Sequence, residues 1–179
     1  IEFTPNRGDC LSVNGLLRDL SVFYTVEKNQ EIYSGEIDDL QLDFENLSPE
    51  VCPRITFLKL EIDKIPNKYK EYLEDYFKDL NINKNNFFTD ISNYLSYETG
   101  QPTHCYDSTK INGNLVFSEL RTKEEFVTLL DKKINLTGKN SVFLLNDEII
   151  NLAGVIGGKN TSCSSQTSSV LVECAFFKP

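Results

Sequence analysis

The sequence has no methionine, one histidine and no pair of cysteines at Cys-x-x-Cys spacing. Each absence narrows the reading. With no methionine even at position 1, the chain is expected to be a fragment of a longer protein. Its five cysteines, Cys10, Cys52, Cys105, Cys163 and Cys174, are odd in number and widely spaced. They read as small buried hydrophobes in a reducing, cytoplasmic setting, not as a disulfide frame or a zinc site. No apolar run approaches the ~18 residues of a membrane span, and no signal peptide is visible. Basic residues are also scarce: 18 Lys and Arg stand against 27 Asp and Glu, a net charge of −9. Neutralised phosphates supply most non-specific nucleic-acid affinity, so the chain does not read as a free-standing nucleic-acid binder. If it acts on RNA, other domains must hold the RNA. An acidic surface also keeps a domain soluble without any partner.

What is present suffices for a core. Of the 179 residues, 40% are hydrophobic, enough for one substantial domain over residues 1–179, or two small ones sharing a core, without staples. Ile1 to Thr4 reads as a strand end, broken by Pro5-Asn6-Arg7-Gly8. Asp9 is placed to cap a helix carrying Val13, Leu16, Leu17, Leu20 and Phe23 on one stripe, with Arg7 locking the preceding turn by bonding carbonyls. Glu27 to Asp39 reads as a loop. Leu40, Leu42 and Phe44 alternate as a strand does, and Arg54 to Ile62 is a second strand. Its apolar phase slips between Phe57 and Leu58, which implies a bulge or burial on both faces. Tyr69, Tyr72, Leu73, Tyr76, Phe77 and Leu80 mark an amphipathic helix, and Phe88, Ile91, Tyr94 and Leu95 another. Strands are expected at Asn114 to Leu120 and at Phe126 to Leu136, the latter bent at Asp131 to Lys133. A hairpin is expected about Asn146-Asp147-Glu148, and a last strand at Val170 to Cys174. Many strands, few helices and no regular alternation indicate the α+β class.

Three places carry possible chemistry. At the end of the second amphipathic helix, Gly100 suits a left-handed stop, and Gln101-Pro102 forbids continuation. The chain must turn there, bringing Thr103 and His104 beside the helix that carries Asn93. An amide, a hydroxyl and an imidazole then meet at one rim, although a lone histidine after a helix also serves as a cap or packing group. Gly154-Val155-Ile156-Gly157-Gly158 lacks the Gly-Lys-Ser/Thr ending of a phosphate loop, and its glycines allow a close approach by a ligand or by another strand. Glu173, between Val172 and Cys174, either faces solvent on an edge or is buried with a partner.

The motifs at these places are ordered along the chain. They are Thr4-Pro5-Asn6-Arg7-x-Asp9-Cys10-Leu11-Ser12, Asn93-Tyr94, Gly100-Gln101-Pro102-x-His104-x-x-Asp107, Leu152-Ala153-Gly154-Val155-Ile156-Gly157-Gly158 and Leu171-Val172-Glu173-Cys174-Ala175-Phe176-Phe177. Together they resemble the editing module of bacterial phenylalanyl-tRNA synthetase β-subunits, from Thr4 to Pro179. The resemblance implies a sandwich-like antiparallel or mixed sheet core with a few outer helices, in two intimately joined halves. It implies hydrolysis of tyrosine mis-attached to phenylalanine tRNA. Asn93 and His104 would lie near the amino acid and the 3′ adenosine as catalytic residues. Glu173 and the Gly154 amide would receive the phenol hydroxyl, and Ser92 would stand where the family usually has threonine. No metal and no cofactor are implied for the fragment, whereas ATP and magnesium are expected for the whole synthetase. The implied partners are the tRNA 3′ end carrying tyrosine and the α-subunit, in a heterotetramer of two α and two β, with no membrane.

The sequence departs from the family in one stretch. Arg-Pro-hydrophobic-Asn-Asn is usual before Asp-x-x-Asn-Tyr, and here Asn83-Lys84-Asn85-Asn86-Phe87 stands in its place. A missing guanidinium weakens the orientation of a tRNA end unless Lys84 replaces it. The alternative reading is thus a non-catalytic structural module of the same β-subunit, with a free-standing amino-acid-binding domain behind it. General-base action by His104 and simple orientation of substrate and water, helped by the tRNA ribose hydroxyls, both remain open as mechanisms.

Overall fold

The computed structural model describes residues 2–26 and 34–178. The part of the Glu27 to Asp39 loop at 27–33 lies outside the described residues, as does Ile1. Residues 34–39 carry no helix or strand, and neither do residues 2–4, so the expected initial strand is not formed.

Two sheets face one another across an aromatic core. The first has the order β1-β4-β5-β6-β7 and the second β2-β8-β3. Their strands are β1 (Phe44–Asn46), β2 (Arg54–Glu61), β3 (His104–Asp107), β4 (Leu115–Val127), β5 (Lys133–Leu145), β6 (Glu148–Leu152), β7 (Ile156–Gly157) and β8 (Ser169–Phe176). Among the described residues only the β1–β4 pairing is parallel; all others are antiparallel. Tyr106, Leu115, Phe117, Phe143, Ile150 and Leu171 draw the core from both sheets. The Phe57 and Phe143 rings meet edge to face at 6.5 Å across it, an arrangement favoured by the ring quadrupoles. The α+β class read from the sequence, with the sandwich-like core that the resemblance implies, is the fold observed.

Several local expectations change. Leu40 and Leu42 pack against the core, but the ladder begins only at Phe44. In β2 the register to β8 is unbroken, so the phase slip is not a bulge; Leu58 and Leu60 simply face outward, at 38% and 42% exposure. The strands expected at 114–120 and 126–136 are instead two 13-residue strands of one hairpin, pairing Leu115 with Leu145 through to Val127 with Lys133. Its middle, Arg121 to Glu125, is mostly exposed, so apolar alternation disappears there while the ladder continues. The supposed bend is the hairpin turn, with Asp131 at φ 62° and its N–H donating to Thr128 O at 2.9 Å.

The helices lie outside the sheets: α1 (Val13–Leu20), α2 (Glu71–Asp79) and α3 (Phe87–Thr99). Ser12, not Asp9, caps α1, accepting from the Gly15 N–H at 3.0 Å. Asp9 is drawn instead to arginine. Arg7 bonds carboxylates, Asp9 at 3.1 Å and Asp19 at 2.5 Å, where carbonyls were expected. The α3 stripe also differs. Phe88 and Asp90 are its buried residues, while Leu95 is 39% exposed. Asp90 is fully buried but well supplied with donors: Tyr69 Oη at 2.6 Å and the Asn85 N–H at 2.8 Å.

Candidate functional site

α3 and the sheets together form a cleft. Asn86 caps the start of α3 by accepting from the Thr89 N–H at 3.1 Å. Gly100 ends it at φ 77°, a conformation that a Cβ would strain, and Pro102 then directs the chain into β3. Because β3 pairs antiparallel with β8, His104 stands directly opposite Glu173. Thr103 is fastened to α3, since Ser92 Oγ donates to Thr103 O at 2.8 Å.

Thr103 and His104 form a partition between two chambers. On one side, a cavity of about 270 Å³ is lined by Pro102, Asn151, Gly154, Ile156, Glu173, Ala175 and Phe177, among others. On the other, about 410 Å³ is lined by Asn85, Asn86, Ser92, Asn93, Cys105, Leu129 and Cys163, among others. The five residues singled out in the sequence therefore divide. Glu173 and Gly154 line the smaller chamber, Ser92 and Asn93 the larger, and His104 both. The amide, hydroxyl and imidazole do converge as expected.

Glu173 is buried, with 5% exposure, because β8 is the central strand of its sheet and offers no edge to solvent. Its Oε2 accepts from Tyr106 Oη at 2.8 Å, and that phenol oxygen accepts in turn from Asn151 Nδ2 at 2.6 Å. No donor to Oε1 is found among the described residues. Burial pushes the Glu173 carboxyl up to about 7, with the Tyr106 hydrogen bond pulling the other way. Burial also lowers His104 to about 4, so the ring is neutral at pH 7. Its Nε2 is enclosed with no hydrogen-bond partner among the described residues, and its ring meets that of Tyr106 in a T-shaped contact, 4.4 Å between centroids.

The glycines serve two ends at once. A Cβ on Gly157 would lie 2.6 Å from His104 Nε2, so only glycine admits the imidazole. Gly158 approaches another strand, its N–H donating to Ile150 O at 2.7 Å. Gly154, at φ 71°, lies on the cavity wall, and its N–H has no acceptor among the described residues. Tyr106 and Asn151 were missed in the sequence. The available signal was a polar residue inside an apolar run, Ile150-Asn151-Leu152, the same signal that marks Glu173. Lys84 does not face the cleft: it pairs with Glu74 at 2.6 Å and lies 5.0 Å from the Tyr69 ring centre. All five cysteines are free thiols.

The chain matches the B3/4 domain family over residues 51–179 and belongs to it. Its curated relatives over the whole chain carry the name phenylalanine–tRNA ligase beta subunit. That of Psychrobacter arcticus is 33% identical over 189 residues, covering 100% of this chain and 23% of the relative. That of a Wolbachia from Brugia malayi is 32% identical over 192 residues, covering 100% and 24%. The chain thus spans about a quarter of the length of these relatives. An N-terminal fragment of the phenylalanyl-tRNA synthetase β-subunit from Pyrococcus horikoshii shares the fold, with a TM-score of 0.58 at 13% identity over 97% of this chain and 53% of that one. Among the described residues, no helix is long and apolar enough to cross a membrane.

Proposed function

We propose that this chain is the editing module of a phenylalanyl-tRNA synthetase β-subunit and hydrolyses tyrosine mis-attached to phenylalanine tRNA. The observation that carries the reading is Glu173: a buried carboxylate with one oxygen unclaimed, at the wall of a small cavity otherwise lined largely by apolar groups. A cavity of about 270 Å³ suits one amino-acid side chain, being below the ~300–1,000 Å³ of drug-sized pockets. A synthetic site shaped for phenylalanine rejects an added hydroxyl poorly, whereas a site built to bond that hydroxyl rejects the side chain lacking it. Glu173 Oε1 accepts the phenol proton and the Gly154 N–H donates to the phenol oxygen.

The ester lies towards the larger chamber, where Asn93, Ser92 and His104 meet the 3′ adenosine. A water oxygen attacks the ester carbonyl carbon, the bond from that carbon to the ribose oxygen breaks, and the ribose oxygen takes up a proton. The products are free tyrosine and the tRNA 3′ hydroxyl. An imidazole held near 4 is a weak proton acceptor at pH 7. His104 therefore orients substrate and water by hydrogen bonding, and general-base action recedes. The net charge of −9 requires the rest of the synthetase, with its α-subunit, to hold the tRNA.

The test uses the full-length synthetase with Glu173→Ala. Loss of a hydrogen bond to a charged group weakens tyrosine by about 1.5–3 kcal/mol and slows deacylation of Tyr-tRNA, while phenylalanine binds no worse. Equal losses for both amino acids would show that Glu173 only supports the fold. A second reading, a non-catalytic module of the same subunit, draws on one observation: Lys84 is committed to Glu74 and does not stand in for the missing arginine. Wild-type synthetase that leaves Tyr-tRNA intact would establish it.

A further inference from the structure

We infer that Tyr106, held by Asn151, is the positioning residue that aims the Glu173 carboxylate and favours its ionised form, and so sets the preference of the small chamber for a side chain bearing a hydroxyl. This deepens the editing reading and rests on it for the identity of the ligand. The geometry is a directed chain of donors: Asn151 Nδ2 to Tyr106 Oη at 2.6 Å, then Tyr106 Oη to Glu173 Oε2 at 2.8 Å. All three groups are enclosed, with exposures of 3%, 0% and 5%.

The direction of this chain is unambiguous at its start. An amide nitrogen only donates, so the phenol oxygen accepts from Asn151 and its single proton points to the carboxylate. Two consequences follow for Glu173. Its Oε2 is occupied by the protein itself, which leaves Oε1 as the acceptor for a ligand. Donation by Tyr106 also favours the ionised carboxyl against the burial that opposes it. An ionised acceptor discriminates a hydroxyl from a hydrogen more strongly than a neutral one, since bonds to charged groups are about twice as strong.

The groups facing Glu173 are few. β3 contributes His104 opposite it and Tyr106 beyond, β6 contributes Asn151, and β2 contributes Phe57 at the paired position. The thiols of Cys52, Cys105 and Cys174 are close enough to be affected by its charge, and burial raises all three. His104 and Glu173 are the only ionisable side chains on the walls of the small chamber among the described residues. No cation lines the small chamber among the described residues, so Tyr106 is the group there that opposes the effect of burial on the carboxyl.

The experiment uses the full-length synthetase, wild type, Tyr106→Phe and Asn151→Ala, with free tyrosine and free phenylalanine as probes. Phenylalanine at 106 keeps the ring and removes only the donor. Two quantities are read: the tyrosine-to-phenylalanine affinity ratio at pH 7 and pH 9, and the Glu173 carboxyl titration in pH-difference infrared spectra, its band identified by absence in Glu173→Gln. In Tyr106→Phe the titration should move upward, and the ratio should fall roughly tenfold at pH 7 and recover at pH 9, where Glu173 ionises unaided. Asn151→Ala should shift both in the same direction by less, because Tyr106 still donates but is no longer polarised by the amide. An unmoved titration, a ratio unchanged at pH 7, or a loss that pH 9 does not restore overturns the proposal; so does a wild-type protein with no preference for tyrosine. Tyr-tRNA deacylation by the same wild-type sample judges the editing reading separately: preference without hydrolysis would sink editing and leave the relay standing.

Discussion

Arg7, Asp9, Arg18 and Asp19 form a ring of ion pairs at the surface, while Glu173, Tyr106 and His104 hold their polar atoms beneath it. The surface group is far richer in charge. Arg7 pairs with both aspartates, Arg18 does the same, and the Arg7 guanidinium holds Asp9 down at about 2. Asp9, Cys10 and Asp19 even lie close enough to suggest a metal site, yet arginine already bonds both carboxylates. Every charge there is answered. In the cleft a single carboxylate is answered by one phenol, and an imidazole nitrogen by nothing among the described residues. The number of charges therefore misleads as a guide to function; the fraction left unanswered in a buried place is the better one.

The comparison can be sharpened by pH. Glu173 is raised from 4.5 to about 7, so its unfavourable burial removes stability as pH rises from about 4.5 to 7. His104 is lowered from 6.5 to about 4, so it removes stability as pH falls from about 6.5 to 4. Between about 4.5 and 6.5 the two slopes oppose and cancel. Urea denaturation of the 179-residue chain should show this as a plateau, provided that single replacements break it. Glu173→Gln should leave a stability that climbs with pH over that window, and His104→Gln one that descends, each by about 1.4 kcal/mol per pH unit. At pH 8 Glu173→Gln should be the more stable protein by about 3 kcal/mol, the largest effect expected here. Parallel slopes in both variants would mean that neither group is buried as described.

Gly157→Ala comes next. Its Cβ would sit 2.6 Å from His104 Nε2, so the ring must swing off the partition at a cost of about 1–3 kcal/mol. Editing should fall as it does in His104→Ala; retention of full activity would detach His104 from the chemistry. The smallest effect belongs to the surface. Arg7→Ala should lower the melting temperature slightly, with the loss erased in high salt because exposed pairs are screened. A loss that persists in high salt would place that ring among the buried networks and blunt the contrast.

What the sequence disclosed follows the reach of its signals. The α3 stop at Gly100 and the turn at Asn146-Asp147, with φ of 50° and 69°, are written in neighbouring residues, and both were legible. So were His104 and Glu173, through long motifs. The Tyr106 bond to Glu173 joins residues 67 apart and the Asn151 bond to Tyr106 residues 45 apart, so no local pattern announces them. The long hairpin was misread for a different reason: a strand that leaves the core keeps its ladder but loses its alternation. At Asp9 two local rules competed, helix capping and ion pairing, and the guanidinium won.

The end of α3 meets the start of α1. A Cβ on Gly100 would lie 3.3 Å from Ser12 Cβ, which places the cap of one helix against the stop of the other. The family match begins only at residue 51, yet α1 and β1 lie before it and brace α3 and β4. The B3/4 match therefore covers less than the portion that packs together. A chain trimmed to residues 51–179 would keep every motif residue of the cleft and lose the buttress that α1 gives α3, the helix of Ser92 and Asn93.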